Sequence, residues 1–244
     1  MSTADAIGTR DLSVVFPSRT GEVRALEGVS LTVKTGQVFG FLGPNGAGKT
    51  TMMHVLLGFI QATSGEAHIF GTDVRESIAR QRIGYLPEHP DTYRFLTGRE
   101  LLDMAGRLFL LKGPPLRNRI DELLDMVGIA DAADRRIATY SRGMMQRISM
   151  AQALINDPDL VILDEPTGGL DPIGRMDVRK IIQDIRRRGK TVFFSSHELS
   201  EVELVCDHLA ILSKGRIVAE GPASELVKPG ENLEKYFMRI VGAG

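Results

Sequence analysis

Eight consecutive residues combine three glycines with a lysine and a threonine at a spacing that suits phosphate binding. They fit the pattern G-x-x-x-x-G-K-[ST] and read Gly43-Pro44-Asn45-Gly46-Ala47-Gly48-Lys49-Thr50. Glycine adopts backbone conformations that are strained for residues with a side chain, so successive N–H groups can surround an anion. Lys49 supplies a positive charge for the outer phosphates of a nucleotide, and Thr50 supplies a hydroxyl for Mg²⁺. The sequence therefore predicts a nucleotide site here.

The segments on either side of this loop are the ones that such a site requires. Residues 38–42 are short and apolar, which predicts a buried strand, and residues 51–57 predict a helix. The helix would point its unpaired N–H groups and partial positive charge at the same phosphate. A glycine-rich turn that ends in Lys-Thr by chance is the alternative, and the strand–loop–helix order argues against it.

Two further polar clusters follow apolar runs that are typical of buried strands. Asp164-Glu165 follows residues 160–163, and Ser195-Ser196-His197 follows residues 191–194. Ligands bind at the carboxyl ends of strands in open parallel sheets. One carboxylate can hold Mg²⁺, directly or through water, while the other reaches the water that attacks a γ-phosphate. Helix capping is the alternative for the acidic pair, and a purely structural histidine is the alternative for His197, which could instead hydrogen-bond the γ-phosphate.

A fourth segment, residues 140–144, precedes a helix predicted from Met145 to Ile155. Ser141 and Gly143 would lie at the N-terminus of that helix, which is a further place for an anion. Taken alone, this is an ordinary helix-capping pattern.

Composition limits the class of protein and its partners. The 244 residues fit one large domain, and a net charge of −1 argues against nucleic acid as a partner. A single cysteine, Cys206, excludes an internal disulfide and favours a reducing cytosol. We see neither a signal peptide nor an apolar run of the ~18 residues that a membrane span needs. We therefore expect a cytoplasmic chain whose link to a membrane comes through another protein.

The hydrophobic periodicity predicts an α/β fold with a mostly parallel sheet. Strands are predicted over residues 9–16 and 23–33, and a closing strand pair over 208–220 turns at Lys214-Gly215. Helical spacing dominates from residue 95, which predicts an inserted helical subdomain at 95–152. The α/β core with its β subdomain would then comprise residues 1–94 and 153–222, followed by a tail at 223–244 that contains one helix.

Together these residues resemble the nucleotide-binding subunit of ABC transporters over essentially the whole chain. The matching motifs occur in the family's order: residues 43–50, 140–144, 163–166, 168–171 and 196–197. Residues 140–144 match the family signature, Leu-Ser-Gly-Gly-Gln, at Ser141 and Gly143, and depart from it at Tyr140, Arg142 and Met144. The resemblance implies a P-loop NTPase core with an antiparallel β subdomain and an inserted helical subdomain.

The resemblance also implies a site shared between two copies of the chain. Two subunits would face each other head to tail around two ATP molecules, each held between the phosphate loop of one copy and Ser141 and Gly143 of the other. Glu165 would be the catalytic base, Asp164 would serve Mg²⁺, and His197 would be the switch histidine. Asp171 would belong to the loop that crosses the dimer interface.

Further residue roles follow from the resemblance. Phe16 matches the aromatic residue that stacks on adenine, although an ordinary strand-end core residue is the alternative. Glu88 occupies a position that is usually Gln, where it would act in catalysis and at Mg²⁺. Arg142 is hypothesised to contact the γ-phosphate of the partner's ATP. The residues expected to bind the nucleotide are Phe16, Gly43, Pro44, Asn45, Gly46, Ala47, Gly48, Lys49, Thr50, Thr51, Ser141 and Gly143.

The expected partner is an integral membrane permease, which would dock on residues 88–95 and the helices of 96–129 and hold the chain at the inner face of the cell membrane. The motif variants resemble ATPases of bacterial export systems most. A soluble ABC-type ATPase of DNA repair or translation is the alternative. Repair members carry a long coiled coil before the signature and translation members carry two ATPase domains, and this sequence shows neither feature.

Overall fold

The computed structural model describes residues 5–19, 21–226 and 232–242, which form two β-sheets and a set of helices. The antiparallel sheet contains β1 (Asp5–Ser18), β2 (Gly21–Lys34), β4 (Ser64–Ile69) and β5 (Thr72–Asp73). Its spatial order is β2-β1-β4-β5. The two long strands β1 and β2 pair along their whole length, from Asp5 opposite Lys34 to Ser18 opposite Gly21.

The second sheet is six-stranded and mostly parallel. It contains β3 (Val38–Leu42), β6 (Ile83–Leu86), β7 (Leu160–Leu163), β8 (Thr191–Ser196), β9 (His208–Ser213) and β10 (Arg216–Pro222). The order is β10-β9-β3-β8-β7-β6, and only β10 is antiparallel to its neighbour. Every residue of β3, β7 and β8 is buried, as expected for parallel strands covered on both faces. The carboxyl ends of β3, β7 and β8 therefore lie side by side at one edge.

Eight helices cover the described parts of the chain. They are α1 (Lys49–Leu56), α2 (Gly98–Leu108), α3 (Gly113–Met126), α4 (Arg142–Ala153), α5 (Pro172–Arg187), α6 (Leu199–Val205), α7 (Ala223–Leu226) and α8 (Leu233–Val241). Helices α2, α3 and α4 pack on one another. In the sequence they lie between β6 and β7. Helix α2 begins with a reciprocal capping box between Thr97 and Glu100.

The central strand β3 divides the hydrophobic core into two halves. Val38 and Leu42 pack with residues of α2 to α6, whereas Phe39 and Phe41 pack with α1 and the antiparallel sheet. Alternate side chains of a strand point to opposite faces, so one short strand anchors both layers. The loop that leaves β3 is thereby fixed between two packed layers.

The predicted fold class is confirmed: the chain has an α/β core, an antiparallel sheet and a group of inserted helices. Several element boundaries differ from the prediction. Helix α1 begins at Lys49 because Gly48 serves as its N-cap, and α4 begins at Arg142 because the Ser141 side chain caps it. The short helix α6 was not predicted, and the described part of the tail, residues 223–226 and 232–242, holds two helices instead of one.

Candidate nucleotide site

The loop between β3 and α1 is built on glycine conformations. Gly46 has φ of 78° and Gly48 has φ of 110°, in the left-handed region that favours glycine. A Cβ on Gly48 would also lie 2.3 Å from the Ala25 carbonyl oxygen, and one on Gly43 would lie 2.4 Å from that of Leu212. The loop is therefore seated tightly against the backbones of β2 and β9.

Helix α1 presents its N-terminus to this loop without a side-chain cap. The first turn of a helix leaves N–H groups without an intrahelical partner, and these groups suit an anion. Thr50 and Thr51 lie in this first turn, and the exposed Thr50 carries its hydroxyl there. The arrangement is the one that the sequence predicts for a phosphate-binding loop.

A cavity of about 470 Å³ lies over the loop. Its lining residues are Val23, Arg24, Ala25, Pro44, Asn45, Gly46, Ala47, Gly48, Lys49, Thr50, Thr51, Glu88, Glu165 and His197. Residues from five separate parts of the chain thus meet at one place. Of the other predicted site residues that the structure describes, Phe16, Asp164, Ser141 and Gly143 do not line this cavity, and Gly43 lies beneath it at the base of the loop.

Lys49 is almost fully buried and is held by two kinds of oxygen. Its ammonium donates to the Gly43 carbonyl oxygen at 2.7 Å and lies 3.5 Å from Oε1 of Glu165. The positive charge is therefore fixed between the floor of the loop and the acidic end of β7. A phosphate in the cavity would meet a cation whose position is already set.

The Glu165 carboxylate is held from two sides. Lys49 lies at Oε1, while Oε2 lies 2.8 Å from Nδ1 of His197 and accepts the His197 backbone N–H at 3.3 Å. The backbone of Glu165 has φ of 49°, a conformation that residues other than glycine adopt rarely. Such strain persists only where the surroundings impose it and concentrates at functional sites. His197, predicted at the end of β8, therefore does lie beside the acidic pair.

Ser195 joins both carboxylate residues and was not assigned a role from the sequence. Its hydroxyl donates to Asp164 Oδ1 at 2.6 Å, and its oxygen accepts the Glu165 backbone N–H at 2.8 Å. All three residues are buried. A serine in an apolar strand carries no sequence signature of such a bridge, because the bridge depends on the pairing of β7 with β8.

The donor set at the end of β7 fits a hard cation. Asp164 is 1% exposed, and its backbone N–H donates to the Leu86 carbonyl oxygen at 2.8 Å. The described residues contain no group of three or more His, Cys, Asp or Glu side chains that could hold a metal. Mg²⁺ in nucleotide sites uses one or two carboxylates together with phosphate oxygens and water, so a site with few protein ligands fits this cation.

Glu88 lies at the mouth of the cavity, half-exposed, with His89 Nε2 3.8 Å from its Oε1. The negative charges of Asp164 and Glu88 act on the neighbouring Tyr85 hydroxyl. Burial first, and then these two carboxylates, raise the pKa of Tyr85 from 10.0 to about 12. Two carboxylates, Asp164 and Glu88, therefore lie near the end of β6.

A further wall of the cavity comes from Val23, Arg24 and Ala25 on β2, a contribution that the sequence analysis missed. Phe16, the predicted adenine-stacking residue, lies on β1 directly opposite Val23 and is 36% exposed. Phe16 is therefore next to the cavity wall and outside the cavity itself. A strand segment such as residues 23–25 carries no pattern that would predict contact with a base.

The signature segment lies at the N-terminus of α4. The Ser141 hydroxyl accepts the Met144 backbone N–H at 3.3 Å, and Ser141 and Arg142 are exposed. Arg142 donates to the Gly168 carbonyl oxygen at 2.9 Å, so it is tied to the loop that follows Glu165 in the same chain.

A family model described as ABC transporter matches residues 26–168, more than half of the chain. The chain belongs to the ABC transporter family. It is an ATP-binding and ATP-hydrolysing subunit of that family, as the sequence analysis predicted, and the DNA-repair and translation alternative is not favoured. No helix within residues 5–19, 21–226 and 232–242 of this ABC ATPase is long and apolar enough to cross a bilayer.

Individual relatives agree with the family match. An uncharacterised ABC transporter ATP-binding protein of Nostoc sp. is 49% identical over 93% of this ABC ATPase and 69% of the relative. The bacitracin transport ATP-binding protein BcrA of Bacillus licheniformis is 41% identical over 91% of the chain and 71% of its own length. A solved structure of an ATP-binding subunit of an ABC transporter superposes with a TM-score of 0.84 at 27% identity, covering 96% of this chain and 99% of that one.

Proposed function

We propose that two copies of this ABC ATPase close head to tail around two ATP molecules and drive a membrane permease. One observation carries the proposal. The cavity gathers the phosphate loop, Glu165 and His197, while Ser141 and Gly143 lie outside it at an exposed helix N-terminus of the same chain. A helix N-terminus that lies outside the nucleotide cavity of its own chain is suited to the nucleotide of a second copy.

Within one copy, the loop residues 43–51 cradle the phosphates and Lys49 neutralises the outer ones. Thr50 and Asp164 would hold Mg²⁺, which when bound stabilises the negative charge that develops on the transferred phosphoryl group. Glu88 lies at the mouth of the cavity, where its carboxylate can bind the same cation through water. Phe16 and the adjoining wall of residues 23–25 receive the adenine ring.

Glu165 acts as the general base for the attacking water. Its carboxylate is 9% exposed and faces the cavity, and Lys49 and His197 fix its two oxygens. A base held in one orientation avoids the cost of ordering it during the reaction. His197 holds Glu165 through Nδ1, which leaves its second ring nitrogen to hydrogen-bond the γ-phosphate.

The permease docks on the face formed by residues 88–95 and the helices of 96–129. A cleft of about 320 Å³ there is lined by residues of β6, α2 and α4. Large apolar side chains are exposed around it: Tyr93, Phe95, Leu108, Phe109 and Leu110. Exposed apolar clusters of this kind mark protein–protein contacts. Docking there places the chain at the inner face of the membrane, and the similarity to the bacitracin transport relative supports a transport role.

Glu165→Gln tests the dimer and the base together. The variant should bind ATP normally, hydrolyse it about 100- to 10,000-fold more slowly, and elute as a dimer with ATP and as a monomer without it. Light scattering after gel filtration measures the mass, and a second change, Ser141→Arg, should abolish the ATP-dependent dimer while ATP binding to the monomer persists. A variant that turns over ATP at the normal rate, or that stays monomeric with ATP bound, contradicts the proposal.

Purification from membranes tests the permease partner. The tagged chain should retain a multi-helix integral membrane protein in detergent, and Leu110→Asp, which places a charge on the docking face, should release it. Recovery only with ribosomes or DNA contradicts the transport role.

A further inference from the structure

Two side chains of α4 bind the loop that follows Glu165 in the same chain. Arg142 donates to the Gly168 carbonyl oxygen at 2.9 Å, and Gln146 donates through Nε2 to the Pro166 carbonyl oxygen at 2.9 Å. Residues four apart lie on one face of a helix, so a single face of α4 makes both contacts. Gln146 is buried, whereas Arg142 is exposed at the first turn.

The guanidinium of Arg142 lies against the backbone of Gly169. Gly169 has φ of 66°, and a Cβ there would lie 2.4 Å from Arg142 Cζ. Any side chain at position 169 would therefore displace the arginine. Glycine at this position allows both the turn and the close approach of the guanidinium.

The two backbone groups of Gly168, its N–H and its carbonyl oxygen, connect Arg142 to the candidate base. The Gly168 N–H donates to the Glu165 carbonyl oxygen at 3.0 Å, which closes a tight turn beginning at Glu165. Arg142 binds the other side of the same residue, its carbonyl oxygen. Because Glu165 holds a left-handed backbone conformation, its orientation depends on contacts that fix this turn.

We infer that Arg142 is a positioning residue for Glu165 of its own chain, an inference that rests on the proposed function. It is an alternative to the hypothesis that Arg142 contacts the γ-phosphate of the partner's ATP. Under the proposed function, its neighbour Ser141 binds the ATP that is held by the phosphate loop of the second copy. Under that function, adjacent residues thus act on opposite ATP sites: Ser141 on that of the second copy and Arg142 on that of its own chain.

We call the bond from Arg142 to the Gly168 carbonyl oxygen the clamp. Hydrogen exchange on the full-length monomer without nucleotide tests whether the clamp holds the loop in place. Arg142→Met should speed exchange of the amides of residues 167–170 by about tenfold, and Arg142→Lys should restore part of the protection. Arg117→Met, which changes an exposed arginine of α3, is the matched control and should leave these amides unchanged. Unaltered exchange in Arg142→Met overturns the inference. This experiment needs no dimer, so its failure is distinct from failure of the proposed function.

Turnover then shows whether the clamp serves catalysis. Arg142→Met should lower kcat while the Kd of the monomer for ATP stays unchanged, with partial recovery in Arg142→Lys. Faster loop exchange with an unchanged kcat would leave Arg142 a structural residue and overturn the positioning role.

Mixed dimers decide which chain Arg142 acts on. One pairing joins a wild-type copy to a copy that carries both Glu165→Gln and Arg142→Met, and the other joins a Glu165→Gln copy to an Arg142→Met copy. If Arg142 acts within its own chain, only the first pairing keeps an intact base with an intact clamp, so it should turn over ATP faster than the second. Equal turnover, or faster turnover in the second pairing, contradicts the inference.

Discussion

The Lys49 ammonium lies 3.5 Å from Oε1 of Glu165, inside the cavity where the phosphates and the attacking water would meet. Both side chains are less than 10% exposed. Removal of one member of a buried ion pair leaves the other charge without compensation. The cation that binds phosphate and the carboxylate that activates water therefore support each other structurally as well as chemically.

Lys49→Met should weaken ATP binding by about 10- to 100-fold, because a charged hydrogen bond to phosphate contributes about 1.5–3 kcal/mol. Calorimetric titration with Mg²⁺-ATP measures the Kd directly. Lys180→Met, which removes an exposed lysine of α5, is the control and should bind ATP normally. Normal affinity in Lys49→Met would show that the phosphates do not lie at this lysine.

Ser195→Ala should impair both the base and the fold. The change leaves the buried Glu165 N–H without its acceptor and removes the hydroxyl donor from Asp164, so we expect a stability loss of about 1–3 kcal/mol. A misplaced base should lower kcat by about tenfold or more with little change in KM.

Urea unfolding and steady-state ATPase assays check the Ser195 prediction. Ser149→Ala is the matched control, because Ser149 is a buried serine of α4 whose hydroxyl has no hydrogen-bond partner among the described residues. Equal effects of the two substitutions would show that the Ser195 bridge has no special role.

Substitutions at Ser141 separate helix capping from contact with the second copy. Ser141→Ala removes the cap on the Met144 N–H and should cost about 1 kcal/mol of folding stability. Ser141→Asp keeps a capping oxygen and favours the helix N-terminus, yet its negative charge would face the partner's phosphates. It should therefore fold as stably as the wild type and hydrolyse ATP far more slowly. Wild-type turnover in Ser141→Asp would contradict the shared site.

The raised pKa of Tyr85 predicts a loss of stability at alkaline pH. The tyrosine ionises near 10.0 when unfolded and at about 12 when folded, so its contribution is complete below pH 10 and declines as the pH rises toward 12. Tyr85→Phe should flatten this decline, measured by urea unfolding at a series of pH values. Burial also raises the pKa of Tyr140, so part of the decline should remain. An unchanged profile in Tyr85→Phe would contradict the prediction.

The sequence predicts the parts of this site that depend on neighbouring residues. The loop of residues 43–50, the acidic pair at 164–165 and His197 each follow a strand directly, and parallel pairing of β3, β7 and β8 brings those strand ends together. Ser195, the wall at residues 23–25 and the Arg142–Gly168 bond depend instead on which distant segments touch. Their residue types suit many environments, so local pattern carries no signal for them.

The most direct test of the shared site mixes two inactive variants, Lys49→Met and Ser141→Arg. Each alone disables both ATP sites of a homodimer. If Ser141 completes the site of the other copy, the mixed dimer contains one site with both defects and one intact site, so mixing should restore ATP hydrolysis. A chain that carries both changes, mixed with the wild type and recovered through a tag on the doubly changed chain so that wild-type homodimers are removed, should form only defective sites. Activity in that second mixture and none in the first would contradict the account, because it would place Ser141 at the nucleotide of its own chain.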